Sequence, residues 1–173
     1  MTRYRFVAAD SPALRRLPFK RMEAEGMTRA VLWNRVRPCL VDWLECVNPN
    51  TSRCWLAYAP VDGFVGAVWL NPVLGCCGTV HFAIFKNGRR DWKRLGREAI
   101  RHLFAELPLK SLLAFWPAHF RHVGHAAKHW GFGTPQLVPG ACPMPTAARP
   151  GRCRDGHMAV LTREAFFSRF GGA

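Results

Sequence analysis

No stretch of this sequence is apolar for long enough to cross a bilayer, because Pro, Gly or charge interrupts the longest candidates. Its opening, Met1-Thr2-Arg3-Tyr4-Arg5, leads into no apolar run with a small-residue cleavage site. A secretory signal is therefore not expected, and the reading puts the chain in the cytoplasm, away from membranes. The spacing of a metal clip is missing too. The cysteines Cys39, Cys46, Cys54, Cys76, Cys77, Cys142 and Cys153 contain no C-x-x-C pair. In a reducing compartment they act mostly as small buried hydrophobes. A zinc site built from Cys142, Cys153 and His157 would need a fourth ligand from elsewhere, so no metal is expected.

Acid is scarce. Only 11 Asp and Glu face 25 Lys and Arg in 173 residues, a net charge of +14. Such an excess draws anions, whether phosphates, nucleic acid, acidic proteins or a membrane surface, without choosing among them. No helix-turn-helix, zinc-finger or aromatic RNP signature accompanies it, so nucleic acid is a partner the sequence permits without favouring. Apolar residues make up 49% of the chain, enough for a real core, and the length suits one domain, 1–173.

Along the chain, Tyr4–Ala8 reads as a first strand, broken by Asp10-Ser11-Pro12, which is placed to cap a short helical turn. From Thr28 to Val47, Trp33, Val36, Leu40, Leu44 and Val47 recur at helical steps, with Pro38 placed to kink or split the helix. Cys54–Ala59, Phe64–Leu70 and Thr79–Phe85 follow as an antiparallel meander, closed by Asn87-Gly88. The period then changes to 3.6. Trp92, Leu95, Ala99, Leu103 and Leu107 share one helix face until Pro108 stops it. Leu112–Trp116 is a continuous apolar strand, and Phe120–Trp130 a second amphipathic helix capped by Gly131. A Pro- and Gly-rich loop follows, with one short strand at Gln136–Val138. Gly156–Thr162 makes a last strand and Arg163–Phe170 a short helix.

Where the meander ends, the helix beginning near Trp92 offers unpaired N–H groups and the positive end of its dipole. Arg89, Arg90, Lys93 and Arg94 add charge there, and Gly96 allows close backbone approach. Asp91 opposes that field unless it caps the helix. His81, in mid-strand and titrating near neutrality, is the leading general-base candidate. Packing in the sheet would explain it equally well. His119, His122 and His125 are alternatives. Cys76-Cys77 lacks a recognisable Cys-His partner pattern. Most tryptophans, Trp33 and Trp130 among them, fall at core positions, while Trp92 opens the basic helix.

Three segments carry a family resemblance. Asp91-Trp92-Lys93-Arg94-Leu95-Gly96, followed by Glu98-Ala99, resembles the Arg/Gln-x-x-Gly-x-Gly/Ala turn of the GNAT acyltransferases. Asp91 stands for the usual Arg/Gln, and Arg94 for the first Gly. Ala126-Ala127-Lys128-His129-Trp130-Gly131-Phe132 is similar to that family's helix ending in Gly-Phe, with Ala127 where many members carry a Tyr acid. Phe120 falls where an Asn often contacts the coenzyme. Asp155–Phe167 looks like the family's closing strand and Leu-Thr-Arg-Glu-x-Phe tail. The resemblance spans Cys54 to Phe167 and includes the ribosomal-protein-modifying and phage-encoded branches.

The resemblance implies an α/β (α+β) fold, with a mixed, mostly antiparallel central sheet flanked by helices. It implies acetyl-CoA as acyl donor and an amine of a small molecule or protein as acceptor. It further implies that the pyrophosphate sits on the turn carrying Arg89, Arg90, Trp92, Lys93, Arg94, Leu95 and Gly96, with Trp92 either packed beneath it or flanking the adenine. The thioester would run along main-chain N–H groups of a splayed third strand, near Phe82, Ala83, Ile84 and Phe85. Direct transfer needs positioning, donors at the developing oxyanion and a base, here His81. The missing Tyr leaves two other readings open. One is a catalytically inactive, GNAT-shaped phage assembly or interaction protein. The other is a basic nucleic-acid-binding protein.

Overall fold

A computed structural model describes residues 4–171, the side chains of Pro72 and Val73 excepted. Its strands are β1 (Arg5–Ala8), β2 (Arg53–Ala59), β3 (Gly63–Leu74), β4 (Cys77–Ile84), β5 (Ser111–Pro117), β6 (Gln136–Pro143) and β7 (Cys153–Thr162). They form one sheet in the order β1-β2-β3-β4-β5-β7-β6. Only β4 and β5 pair in parallel; every other pairing is antiparallel. The helices are α1 (Pro12–Ala24), α2 (Thr28–Val31), α3 (Leu40–Cys46), α4 (Trp92–Glu106), α5 (Arg121–His129) and α6 (Arg163–Phe170). No helix among the described residues is long and apolar enough to cross a membrane.

Strand alternation divides the core between the two faces of the sheet. Val68, Leu70, Val80, Leu112, Ala114 and Leu161 point to one face, where Ile100, Leu103 and Phe104 of α4, Ala127 of α5 and Phe166 of α6 cover them. Leu56, Ala67, Trp69, Ala83 and Phe85 point to the other, under Phe19 and Met22 of α1 and Trp43 of α3.

Several boundaries differ from the sequence reading. After Ser11 comes not a short turn but a thirteen-residue helix. Ser11 Oγ accepts the Leu14 N–H at 3.2 Å, and Pro12 takes the first turn, where its missing N–H costs nothing. The expected 28–47 helix survives only as α2 and α3. Residues 32–39 between them are irregular, and Trp33 lies there rather than on a helical stripe. Pro38 cannot donate to a helical ladder, and Asp42 instead starts α3 by accepting the Cys39 N–H at 2.9 Å. Strand β3 runs on to Leu74 and turns at Gly75, whose φ is +58°. Strand β6 reaches Pro143 through an irregularity between Val138 and Cys142.

A cleft between parted strands

Strands β4 and β5 are paired only at Cys77↔Ser111, Gly78↔Leu112 and Thr79↔Leu113. Beyond Thr79 they separate, while β4 stays zipped to β3 as far as Gly66↔Ile84. The Phe85 N–H donates to the Val65 carbonyl at 2.9 Å, which fixes the alternation along β4. The main-chain groups of Phe82 and Ile84 consequently point away from β3, toward the side from which β5 has departed. On β5 the Ala118 N–H donates to the Asp155 carbonyl at 2.9 Å, so by the same alternation Phe115 turns its main chain toward the gap. Two strand edges face each other across an opening.

The opening is a cleft of about 1070 Å³ that reaches both faces of the sheet. One side is formed by Met27, Ala30, Val31, Trp33, His81 and Phe115. The other is formed by Phe82, Ile84, Trp92, Trp116, Ala126, Ala127 and Trp130. Trp33 meets Phe115 at 6.4 Å between ring centroids, tilted by 51°. His81 lies half-buried on this wall and stacks on Trp69 at 5.3 Å and 13°. Its Nε2 is 3.5 Å from the Asn71 carbonyl, at the long limit of a hydrogen bond. If Nε2 carries the proton toward that oxygen, Nδ1 keeps the lone pair. Burial pushes the His81 pKa down to about 4, only partly opposed by the Asn71 contact, so the ring is neutral across the physiological range.

The other predicted residues divide. Arg89 and Trp92 line the cleft with Phe82 and Ile84. Arg89 is exposed, and its Nη2 lies 3.4 Å from Met27 Sδ. Lys93 sits beside them, its Nζ 5.7 Å from the Trp92 ring centroid. Arg90 lines a separate hollow with Tyr4, Asp62 and Asp91. The Nε of Arg94 is 2.7 Å from the buried carboxylate of Glu98. Leu95 is core against Val65, and the side chains of Ala83 and Phe85 pack under α1 and α3. Gly96 is buried, with the Trp130 indole on the side that a Cβ would occupy. Asp91 does occupy the N-cap position of α4, although its side chain makes no cap bond; it accepts the Tyr4 hydroxyl at 2.8 Å.

Sequence reasoning passed over Trp33, Phe115 and Trp130 as lining groups. Each has a partner distant in the chain, so no local signal marks it. Ala127, in the family's Tyr position, is buried in the wall at 3% exposure. Two of the alternative histidines, His122 and His125, line the cleft, and His119 does not. No group of three or more His, Cys, Asp or Glu side chains among the described residues could hold a metal ion.

No protein-family model and no curated protein sequence matches this chain. Solved structures do. Spermidine N-acetyltransferase from Vibrio cholerae, in complex with CoA and spermine, superposes with a TM-score of 0.74 at 11% identity, over 96% of this chain and 99% of that one. A probable acetyltransferase of the GNAT family from Chromobacterium violaceum gives 0.73 at 16% identity, over 94% and 84%. At such identities the likeness establishes the fold, a mixed, mostly antiparallel sheet flanked by helices.

Proposed function

We propose that this chain is an acyl-CoA-dependent N-acetyltransferase, moving an acetyl group from acetyl-CoA to an amine of a small molecule or protein. The observation that carries the reading is the parting of β4 and β5 after three residue pairs, which leaves two strand edges facing an aromatic cleft. A pantetheine arm is a chain of amides and fits such edges as a strand would. The acetyl thioester would supply an activated carbonyl. The gap suits it: Phe82 and Ile84 offer main-chain groups, and the Trp130 indole N–H is buried beside α4 with no hydrogen-bond partner. Arg89, Trp92 and Lys93 gather at the helix entrance, which supports them as the anion-side group. Arg90, Arg94, Leu95 and Gly96 would then act on that entrance through packing and long-range charge.

His81 is the base in this reading. Its neutral ring is free to take the proton that the attacking nitrogen sheds as the N–C bond forms, when that nitrogen becomes strongly acidic. Ala127 offers no proton to the departing sulfur. A thiol of ordinary pKa, near 8.5, leaves tolerably as thiolate, and Arg89 and Arg121 give the cleft a positive wall. The chain's pattern resembles the ribosomal-protein-modifying and phage-encoded branches of the family. Its unpaired thiols suit the reducing cytoplasm.

A thermal-shift series with acetyl-CoA tests the reading. At 100 times its dissociation constant the donor should stabilise the protein by about 2.7 kcal/mol. Absence of a shift would remove the coenzyme. Ala127 favours a second reading, a coenzyme-binding protein without turnover. Thiol release from acetyl-CoA over a panel of amines separates the two.

A further inference from the structure

We infer that the acceptor is a flat aromatic amine, uncharged at the working pH, rather than a polyamine or another alkyl-ammonium cation. The inference rests on the acyl-transfer reading and names the substrate class of that same cleft.

Charge is the first argument. The titratable groups lining the cleft are His81, Arg89, Arg121, His122 and His125, and no Asp or Glu is among the lining residues described. Spermine, bound in the Vibrio cholerae structure, is a polycation. Here such a molecule would meet two guanidinium groups and no carboxylate among the lining side chains. Glu25 lies near Met27 in the chain, and its carboxylate is already shared: it is 2.8 Å from Arg21 Nε, accepts the Lys86 N–H at 2.8 Å, and lies 4.0 Å from Nη2 of the cleft-lining Arg89.

Shape is the second. On the α1–α2 side, Trp33 and Phe115 face the cleft with their rings in contact, His81 lies flat on Trp69, and Ala30 and Val31 supply the remaining wall. That is a slot for a planar apolar body. Aromatic walls also hold cations, through their ring quadrupoles. The lack of a lining carboxylate separates the two, and the proton adds to it. An alkyl ammonium, with a pKa near 10 like that of lysine, must lose a proton before it can attack. His81, pushed down to about 4, is a base roughly a million-fold too weak to take it. An aryl amine, whose lone pair is delocalised into its ring, arrives neutral.

The chemistry balances. The nitrogen lone pair forms an N–C bond to the thioester carbon of acetyl-CoA, the C–S bond breaks, and its electron pair leaves on sulfur as thiolate. The proton lost by nitrogen passes to His81 Nδ1 or to water.

The test uses the full chain with two probes, p-anisidine and spermidine. Calorimetric binding is measured in the presence of CoA, thiol release in the presence of acetyl-CoA, and donor stabilisation separately by thermal shift. The expected result is binding and acetylation of p-anisidine with kcat/KM about 100-fold or more above spermidine, equivalent to two decades of discrimination. Trp33→Ala should raise the p-anisidine Kd by about tenfold or more while leaving donor stabilisation intact. Spermidine bound or acetylated as well as p-anisidine overturns the acceptor class and leaves acyl transfer standing. Donor stabilisation without p-anisidine binding does the same. No donor stabilisation overturns the acyl-transfer reading, and the acceptor class goes with it.

Discussion

A Cβ added to Gly96 would fall on Cε2 and Nε1 of Trp130, so the indole fills the space that any larger residue at this position of α4 would need. Helix propensity alone makes Ala better than Gly by about 1 kcal/mol. Moving a buried indole that also touches Phe82, at 4.5 Å between centroids, costs about 1–3 kcal/mol. Gly96→Ala should therefore lower the urea midpoint with an unchanged slope. Trp130→Ala in the same chain should recover part of that loss, a coupling read from the double-mutant cycle. A stabilised Gly96→Ala protein would show that the indole is not seated there.

His81 should make stability depend on pH. Its folded pKa, about 4, lies below the ordinary 6.5, so between these values the unfolded chain binds more protons than the folded one. Stability then rises with pH across that window, is complete above it, and falls as pH drops below 6.5. The effect is up to about 3 kcal/mol, less what partial exposure screens. Burial lowers His102 and His119 in the same direction. Melting temperatures between pH 7 and 4.5 should decline steeply, and His81→Gln should flatten the decline. The kcat/KM profile should be level from pH 6 to 8 as far as His81 is concerned, with its acid limb near 4. An acid limb near 6.5 would mean that another group is the base.

Much of the scaffold is legible because its signals are local. Thr162 caps α6 by accepting the Ala165 N–H at 3.1 Å, and that helix spans Arg163–Phe170 as its sequence indicates. The apolar stripe of α4 and the Gly131 stop of α5 are equally plain. Helix α1 is not, because it buries Arg15 and Pro18 beside Phe19 and Met22, which blurs its stripe. The run Trp33, Val36, Leu40 imitates a helical period, yet Trp33 turns to Phe115 instead. The site is hardest to read. Nothing local in the sequence shows that the Trp130 indole will be folded onto Gly96. Arg89 and Arg90 are neighbours in sequence but line different hollows.

That division makes the arginines separable by experiment. Arg89 lines the cleft beside Met27 with its Nη2 4.0 Å from Glu25, a longer contact than that of Arg94 with Glu98, so Arg89→Glu should weaken acetyl-CoA binding by about tenfold or more while lowering the apo melting temperature less than Arg94→Glu. Arg94→Glu should do the reverse. It would set a carboxylate against Glu98, which is 5% exposed and also accepts the Tyr4 N–H at 3.1 Å, so the apo protein should melt earlier. Arg90→Glu should change donor affinity less than Arg89→Glu. If Arg90 carries the larger effect, the anion lies over the outer hollow.

Arg15 offers a test of the layer that forms the acceptor wall. It is 7% exposed, its Nε donates to the Ala9 carbonyl at 2.7 Å and its Nη1 to the Val47 carbonyl at 2.6 Å. One guanidinium thus ties the end of β1 to the end of α3, and the main-chain oxygen of Arg15 accepts the Trp43 indole N–H at 2.7 Å. Arg15→Met keeps the apolar stem and that last bond, but leaves two carbonyls without a charged donor. The expected loss is about 3 kcal/mol. Because the same layer carries the chain toward Met27 and Trp33, acceptor affinity should fall along with stability, whereas donor binding on the α4–α5 side should hold at temperatures where the variant stays folded. Calorimetry with each ligand on the Arg15→Met protein separates the two sides. Equal losses for donor and acceptor would mean that the cleft responds as one rigid unit.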